Sequence, residues 1–156
     1  MRRPSRRIVV VLAAIGVLVW GAVVMMSVFS RKPESLGVVD GRLAECPSSP
    51  NCVSTQTESE GHRMAPIPFS GSAEEAMQRV RKVIAGMPRA RIVTAEGDYL
   101  HVEFRSAVFR FVDDVEFLVD PDEKVIHFRS ASRVGYSDLG VNRRRMEQIR
   151  AAFEKE

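Results

Sequence analysis

"RIVTAEGDYLHVEFRSAVFRFVDDVEFLVDPDEKVIHFRS", Arg91 to Ser130, alternates apolar and polar residues along most of its length. Successive side chains of a β-strand point to opposite faces, so period-two alternation predicts half-buried strands. Arg91 to Arg105 reads as strand, turn at Glu96 to Asp98, and strand. Leu100, Val102 and Phe104 share one face, and Tyr99, His101, Glu103 and Arg105 share the other. Val108 to Asp120 reads as a longer strand, Asp120 to Lys124 ("DPDEK") as a turn, and Val125 to Ser130 as the returning strand.

The period changes to that of a helix on either side. Ala73, Ala76, Met77, Val80, Val83 and Ile84 recur at three- and four-residue spacing. Ser72 and Glu75 suit a capping box ahead of them, and Gly86 and Pro88 close the segment. Met146, Ile149 and Phe153 mark a last helix from about Asn142, with Asn142 placed to cap it. Cys46 to Phe69 shows little periodicity and reads as an irregular arm, with a short extended piece in "APIPF" (Ala65 to Phe69). The order predicts an α+β domain: an antiparallel meander sheet of about four strands with two helices packed on one face.

The N-terminal third is of another kind. Ile8 to Phe29 is 22 residues without a charge. At about 1.5 Å per residue a helix of that length reaches about 33 Å, enough for a hydrocarbon core of about 30 Å. Arg2, Arg3, Arg6 and Arg7 precede it, and only Arg31 and Lys32 follow. The heavier basic flank stays in the cytoplasm. The run is longer than a signal-peptide core and no A-x-A-like site follows it, which favours a retained anchor over a cleaved leader. The twin-Arg look of "SRRIVV" and the lipid-site look of "LAEC" carry little, since Arg flanks orient helices generally and Cys46 lies far beyond the apolar run. The reading divides the chain into a basic flank and transmembrane anchor (1–30), a tether (31–45) and a soluble domain (46–156). It places the protein in the inner membrane as a single-pass chain, N-terminus in the cytoplasm and C-terminal domain exported.

The net charge of +3 is misleading. Residues 1–32 hold six basic residues and no acidic one, so the remainder carries 17 basic against 20 acidic, or −3. The basicity belongs to the membrane flank, and nucleic acid is not an expected partner. Cys46 and Cys52 lie in "CPSSPNC". An exported compartment favours a disulfide between them. Free thiols remain open, as does a metal site with His62, although C-x5-C-x9-H lacks the spacing of zinc clips.

Residues able to carry chemistry concentrate in two places. Asp113 falls in phase with Phe109, Phe111, Val115, Phe117 and Val119, and an ionised carboxylate in that phase needs a partner or a bulge to turn it outward. Arg129 or Arg133 is the natural partner, because the returning strand pairs with this one. The second place is "RSASRVGYSDLGVNRRR", Arg129 to Arg145. It reads as a strand end, a Gly/Ser loop and a helix start. Arg143, Arg144 and Arg145 diverge by about 100° each, so they form no single patch. Arginines at a helix start oppose its dipole, which implies a specific acidic partner for one or two of them. Two uses fit: a loop knitted by hydrogen bonds, or an anion site made by Arg129, Arg133 and Arg145 with backbone N–H groups near Gly140. Ser130 or Ser132 with His127 and Asp138 makes a nucleophilic set only on paper, since no G-x-S-x-G elbow is present. His101 and His127 read as half-exposed sheet residues. No Gly-rich phosphate loop occurs, and no cofactor is expected.

"CPSSPNCVSTQ", "DDVEF" and "RSASRVGYSDLGVNRRRMEQIR", in this order and spacing, resemble the domain of unknown function 1499 family over about Cys46 to Phe153. The resemblance implies a bacterial envelope protein or a plastid-targeted relative, and no assigned activity. Its characteristic positions fall on Cys46, Cys52, Asp113, Asp114, Arg129, Ser130, Ser132, Arg133, Tyr136, Asp138, Asn142 and Arg145, without roles. The expectation is a membrane-anchored module, more binding or assembly than enzymatic. Its partner would be an envelope protein or an anionic or amphiphilic ligand. The rival is an enzyme or small-ligand carrier using Asp113, Arg129, Ser132 and Arg133.

Overall fold

A computed structural model describes residues 5–28 and 30–156. Arg2 and Arg3 of the basic flank, and Phe29 at the end of the apolar run, lie outside the described residues. The fold is α+β, with three helices and a mostly antiparallel sheet. In chain order the elements are α1 (Arg6–Val28), β1 (Val38–Val39), β2 (Arg42–Leu43), β3 (Cys52–Ser54), β4 (Ile67–Pro68), α2 (Ala73–Ala85), β5 (Ala90–Glu96), β6 (Tyr99–Arg105), β7 (Val112–Asp120), β8 (Val125–Ser132) and α3 (Val141–Phe153). Helix α1 is apolar and long enough to cross a membrane.

The main sheet has six strands rather than four. Strands β5 to β8 form the meander, and the arm adds two short strands, β3 and β4, both antiparallel to β8. Gly97, at φ 53°, and Asp98 make the tight turn between β5 and β6, a backbone setting that glycine adopts without steric cost. Strand β7 is shorter than its sequence pattern. It starts at Val112, because Arg110 at φ 60° turns the chain and Ser106 closes a loop with Phe111 through two hydrogen bonds. Val108 and Phe109, of which Phe109 is in phase with the core, are therefore outside the sheet and exposed.

One face of the sheet carries the apolar core. Leu100, Val102, Phe104, Val115, Phe117, Val119, Ile126 and Phe128 pack with Met77, Val80 and Ile84 of α2 and Met146, Ile149 and Phe153 of α3. Helix α2 starts with the full capping box, Glu75 N–H donating to Ser72 Oγ and Ser72 N–H to Glu75 Oε2. The opposite face is not open to solvent. The segment predicted to be a tether packs across it, with Leu43 buried and Gly37 N–H donating to Glu116 Oε1 at 2.7 Å. A ribbon of β1 and β2 lies within this cover.

Candidate functional site

The sheet register decides the geometry of the polar residues. Pairing places Asp113 opposite Ser132, Asp114 opposite Ala131, and Glu116 opposite Arg129. Alternation then sends Asp113 to the helix side and Asp114 and Glu116 to the side under the arm. The three acids of "DDVEF" take three different arginines from "RSASRVGYSDLGVNRRR". Asp113 Oδ2 accepts from Arg145 Nη2 at 2.5 Å, Asp114 accepts from Arg133 Nε and Nη2 at 2.8 and 2.7 Å, and Glu116 Oε2 accepts from Arg129 Nη1 at 3.3 Å. The expected partners of Asp113, Arg129 and Arg133, are thus corrected to Arg145. The first two serve the far face, and only the helix α3 brings an arginine to Asp113. No bulge is needed, since the β7–β8 register runs unbroken.

Under the arm the ion pairs extend into a layer. Arg133 Nη2 also donates to Glu103 Oε1 at 2.6 Å, and Arg105 reaches Glu103 Oε2 at 3.4 Å. His101 Nε2 lies 2.8 Å from Asp114 Oδ1, and Tyr99 donates to Glu116 Oε1 at 2.8 Å. His101 is fully buried, not half-exposed as its alternation implied, because residues 33–47 roof the face. In this layer His101 Nδ1 and Arg129 Nε are buried and have no hydrogen-bond partner among the described residues. Burial pushes the carboxyls of Asp114 and Glu103 up, but the hydrogen bonds and charge of Arg133 outweigh it, and both sit below their ordinary values. The same two carboxylates raise Arg133 further above the usual guanidinium range. Burial, with Glu116 beside it, pushes the Tyr99 phenol up, so it remains a donor.

On the helix side the network centres on Asn142. Its amide oxygen accepts from Ser130 Oγ and Arg145 Nη1, both at 2.6 Å, and its amide nitrogen donates to Asn51 O at 2.9 Å and Ser132 Oγ at 3.1 Å. All of its main hydrogen-bonding capacity is used. Asn142 is therefore a buried helix residue and not the cap. Asp138 does that work, accepting from the N–H groups of Gly140 and Asn142 at 2.9 and 2.7 Å. Asn51 Nδ2 in turn donates to Gly135 O at 2.6 Å. The Cys46–Cys52 disulfide holds this loop, so "CPSSPNC" and the loop after β8 are knitted together. Tyr136 joins none of this and stands 76% exposed.

The arginines of "RRR" do diverge. Arg143 donates to Gly61 O and Arg63 O, Arg144 to Leu139 O, and Arg145 to Asp113. The proposed three-arginine anion site is not assembled: Arg129 and Arg133 lie under the arm and Arg145 lies on the other face. Nor is the Ser/His/Asp set, since His127 Nδ1 meets Thr55 Oγ1 at 3.2 Å while Ser130 and Asp138 serve α3. Among the described residues, Asp120, Glu123 and His127 are the group whose potential metal-ligating atoms converge, all within 4.8 Å. Asp120 Oδ1 there already accepts from Asp122 and Glu123 N–H groups. Sequence reasoning missed His101, Glu103 and Glu116. Their signal was present, as acids and bases sharing one face of adjacent strands, but it reads equally as a solvated face.

Fold and site together define an α+β domain whose sheet is locked by acid–arginine pairs on both faces. The chain belongs to the family described as protein of unknown function, DUF1499, whose model matches residues 42–153. No curated protein and no solved structure matches it.

Proposed function

We propose that the chain is a membrane-anchored, exported domain that works as a non-enzymatic binding or assembly module at the cell envelope. The carrying observation is that the carboxylates with the chemistry for acid–base work are each held by an arginine of the same domain: Asp113 by Arg145, Asp114 by Arg133, Glu116 by Arg129. That arrangement fits a locked scaffold better than a reacting centre. The apolar α1, the heavier basic flank before it and the Cys46–Cys52 disulfide support an anchor with the domain in an oxidising compartment. A C-terminal reporter that is active only outside the cytoplasm tests the topology. Activity is expected, and a reporter active only in the cytoplasm overturns the export reading.

The rival reading, an enzyme or small-ligand carrier, has one observation in its favour. A cleft of about 390 Å³ opens beside Asp113 and Arg145, between the residues before β5 and the start of α3. Growth or envelope phenotypes of Asp113→Asn separate the two. Lost function with an unchanged melting temperature favours a site at the cleft, and parallel loss of both favours the scaffold.

A further inference from the structure

The two ends of the sheet differ chemically. The loops 86–89, 106–111 and 133–140 gather at one end, as the pairings of Ala90 with Phe104, Arg105 with Val112 and Asp113 with Ser132 require. They display Val108 (60% exposed), Phe109 (41%), Tyr136 (76%) and Leu139 (83%). Leu139 has φ 54° and Arg110 φ 60°, left-handed settings that are unfavourable for residues other than glycine. A strained loop that presents a leucine to solvent gains no core packing from it. Single exposed apolar side chains are ordinary, but a group at one end marks an interaction surface.

Basic residues surround this group. Arg89, Arg110 and Arg144 are exposed. Arg89 donates to Arg105 O and Arg144 to Leu139 O, both backbone carbonyls, and none of the three forms an ion pair among the described residues. Arg89, Arg105, Arg144 and Arg145 line the cleft of about 390 Å³, together with Phe104 and Val141. The other end of the sheet has the opposite sign. Its turns carry Glu96, Asp98, Asp120, Asp122 and Glu123 against Lys124.

The chain also arrives at the basic end. Pro33 and Ser35 line one hollow with Ser132 and Arg133. Five residue steps separate Val28, the last residue of α1, from Pro33, and an extended chain covers at most about 18 Å in that distance. Helix α1 therefore ends within reach of the apolar loops, and the acidic turns are at the far end of the strands.

We infer that this end of the domain is a membrane-docking surface, with Val108, Phe109 and Leu139 entering the bilayer interface and Arg89, Arg110 and Arg144 binding the phosphates of anionic phospholipids. The inference rests on reading α1 as an anchor, yet it adds to it, since a tethered domain can equally hang free in water. Apolar insertion and attraction of arginines to an anionic surface act together, and the acidic turns are repelled, so one orientation is selected.

The test uses the full chain in vesicles of phosphatidylcholine, alone or mixed with phosphatidylglycerol. An environment-sensitive fluorophore is placed on Val108→Cys, Leu139→Cys or, at the opposite end, Asp122→Cys, while the native cysteines stay paired in their disulfide. The expected result is a blue shift at 108 and 139 that grows with phosphatidylglycerol, with none at 122. Arg89→Glu, Arg110→Glu and Arg144→Glu combined should abolish the growth without moving the melting temperature. Resistance to alkaline extraction reads the anchor separately. Probes that stay in water at both ends of an extraction-resistant chain overturn the docking alone. Extraction of the chain overturns the anchor and the docking with it. Equal shifts in neutral and anionic vesicles overturn the phosphate contacts and so the proposal as stated.

Discussion

Replacing Arg133 by Ala removes three short hydrogen bonds, two to Asp114 and one to Glu103, at 2.6 to 2.8 Å. Both carboxylates are buried, Asp114 at 1% and Glu103 at 8% exposure. His101 still contacts Asp114, and Arg105 still reaches Glu103, although at 3.4 Å. Removing one partner of a buried ion pair costs about 3–5 kcal/mol, because the charge left behind is buried without its counter-charge. For a domain of this size each kcal/mol lowers the melting temperature by about 4–8 °C, so a fall of roughly 12–40 °C is expected. Thermal and urea denaturation of the full chain in detergent, followed by far-ultraviolet circular dichroism, measures it. Neutralising the same group as a set, Arg133→Met with Asp114→Asn and Glu103→Gln, should recover much of the loss, since no uncompensated charge remains. An Arg133→Ala variant within about 1 kcal/mol of the parent would refute the reasoning, because that is the range of solvent-exposed pairs.

Acid should unfold the domain through the same group. Asp114 and Glu103 are held below their ordinary values, so their contribution is complete above the unfolded carboxyl range and is lost as pH falls through the folded values. The steep loss is expected below about pH 4, with a smaller decline from about pH 6.5, where the unfolded state protonates His127 before the folded state, in which burial holds it down. A pH series of urea midpoints shows both. Reduction of Cys46–Cys52 opens a short loop, and chain-entropy reasoning gives about 2 kcal/mol of lost stability, read as a lower urea midpoint in dithiothreitol. Asn142→Ala leaves Ser130, Ser132 and Asn51 O without their buried partner and should cost about 2–3 kcal/mol, while Tyr136→Ala, on an exposed side chain, should change stability by less than about 0.5 kcal/mol.

Local features were legible in the sequence because they depend on neighbours in the chain. The capping box of Ser72 and Glu75, the stripe of α2 and the turn at Gly97–Asp98 involve residues within a few positions of one another. Alternation also gave the faces of the side chains in β6 and the shared phase of Asp113, Val115, Phe117 and Val119 in β7. It failed at Val108 and Phe109, where the pattern continues but Arg110 turns the backbone. It could say that Asp113 needs a counter-charge. It could not name Arg145, which stands on α3 and is brought over the sheet only by the packing of Met146, Ile149 and Phe153.

The far face shows the same boundary from the other side. Tyr99, His101, Glu103, Asp114, Glu116 and Arg129 have the composition of a solvated surface, and period two places them together. Whether that surface is wet depends on the path of residues 33–47, a segment with no periodicity of its own. Its route is set by contacts such as Gly37 with Glu116, 79 positions apart. Sequence thus decided the faces, the capping box of α2 and the apolar helix, since those follow from side-chain spacing and short-range backbone geometry. Only the folded chain decided which acid meets which arginine and which face is covered, because pairing across long loops is set by register and by what the core leaves room for.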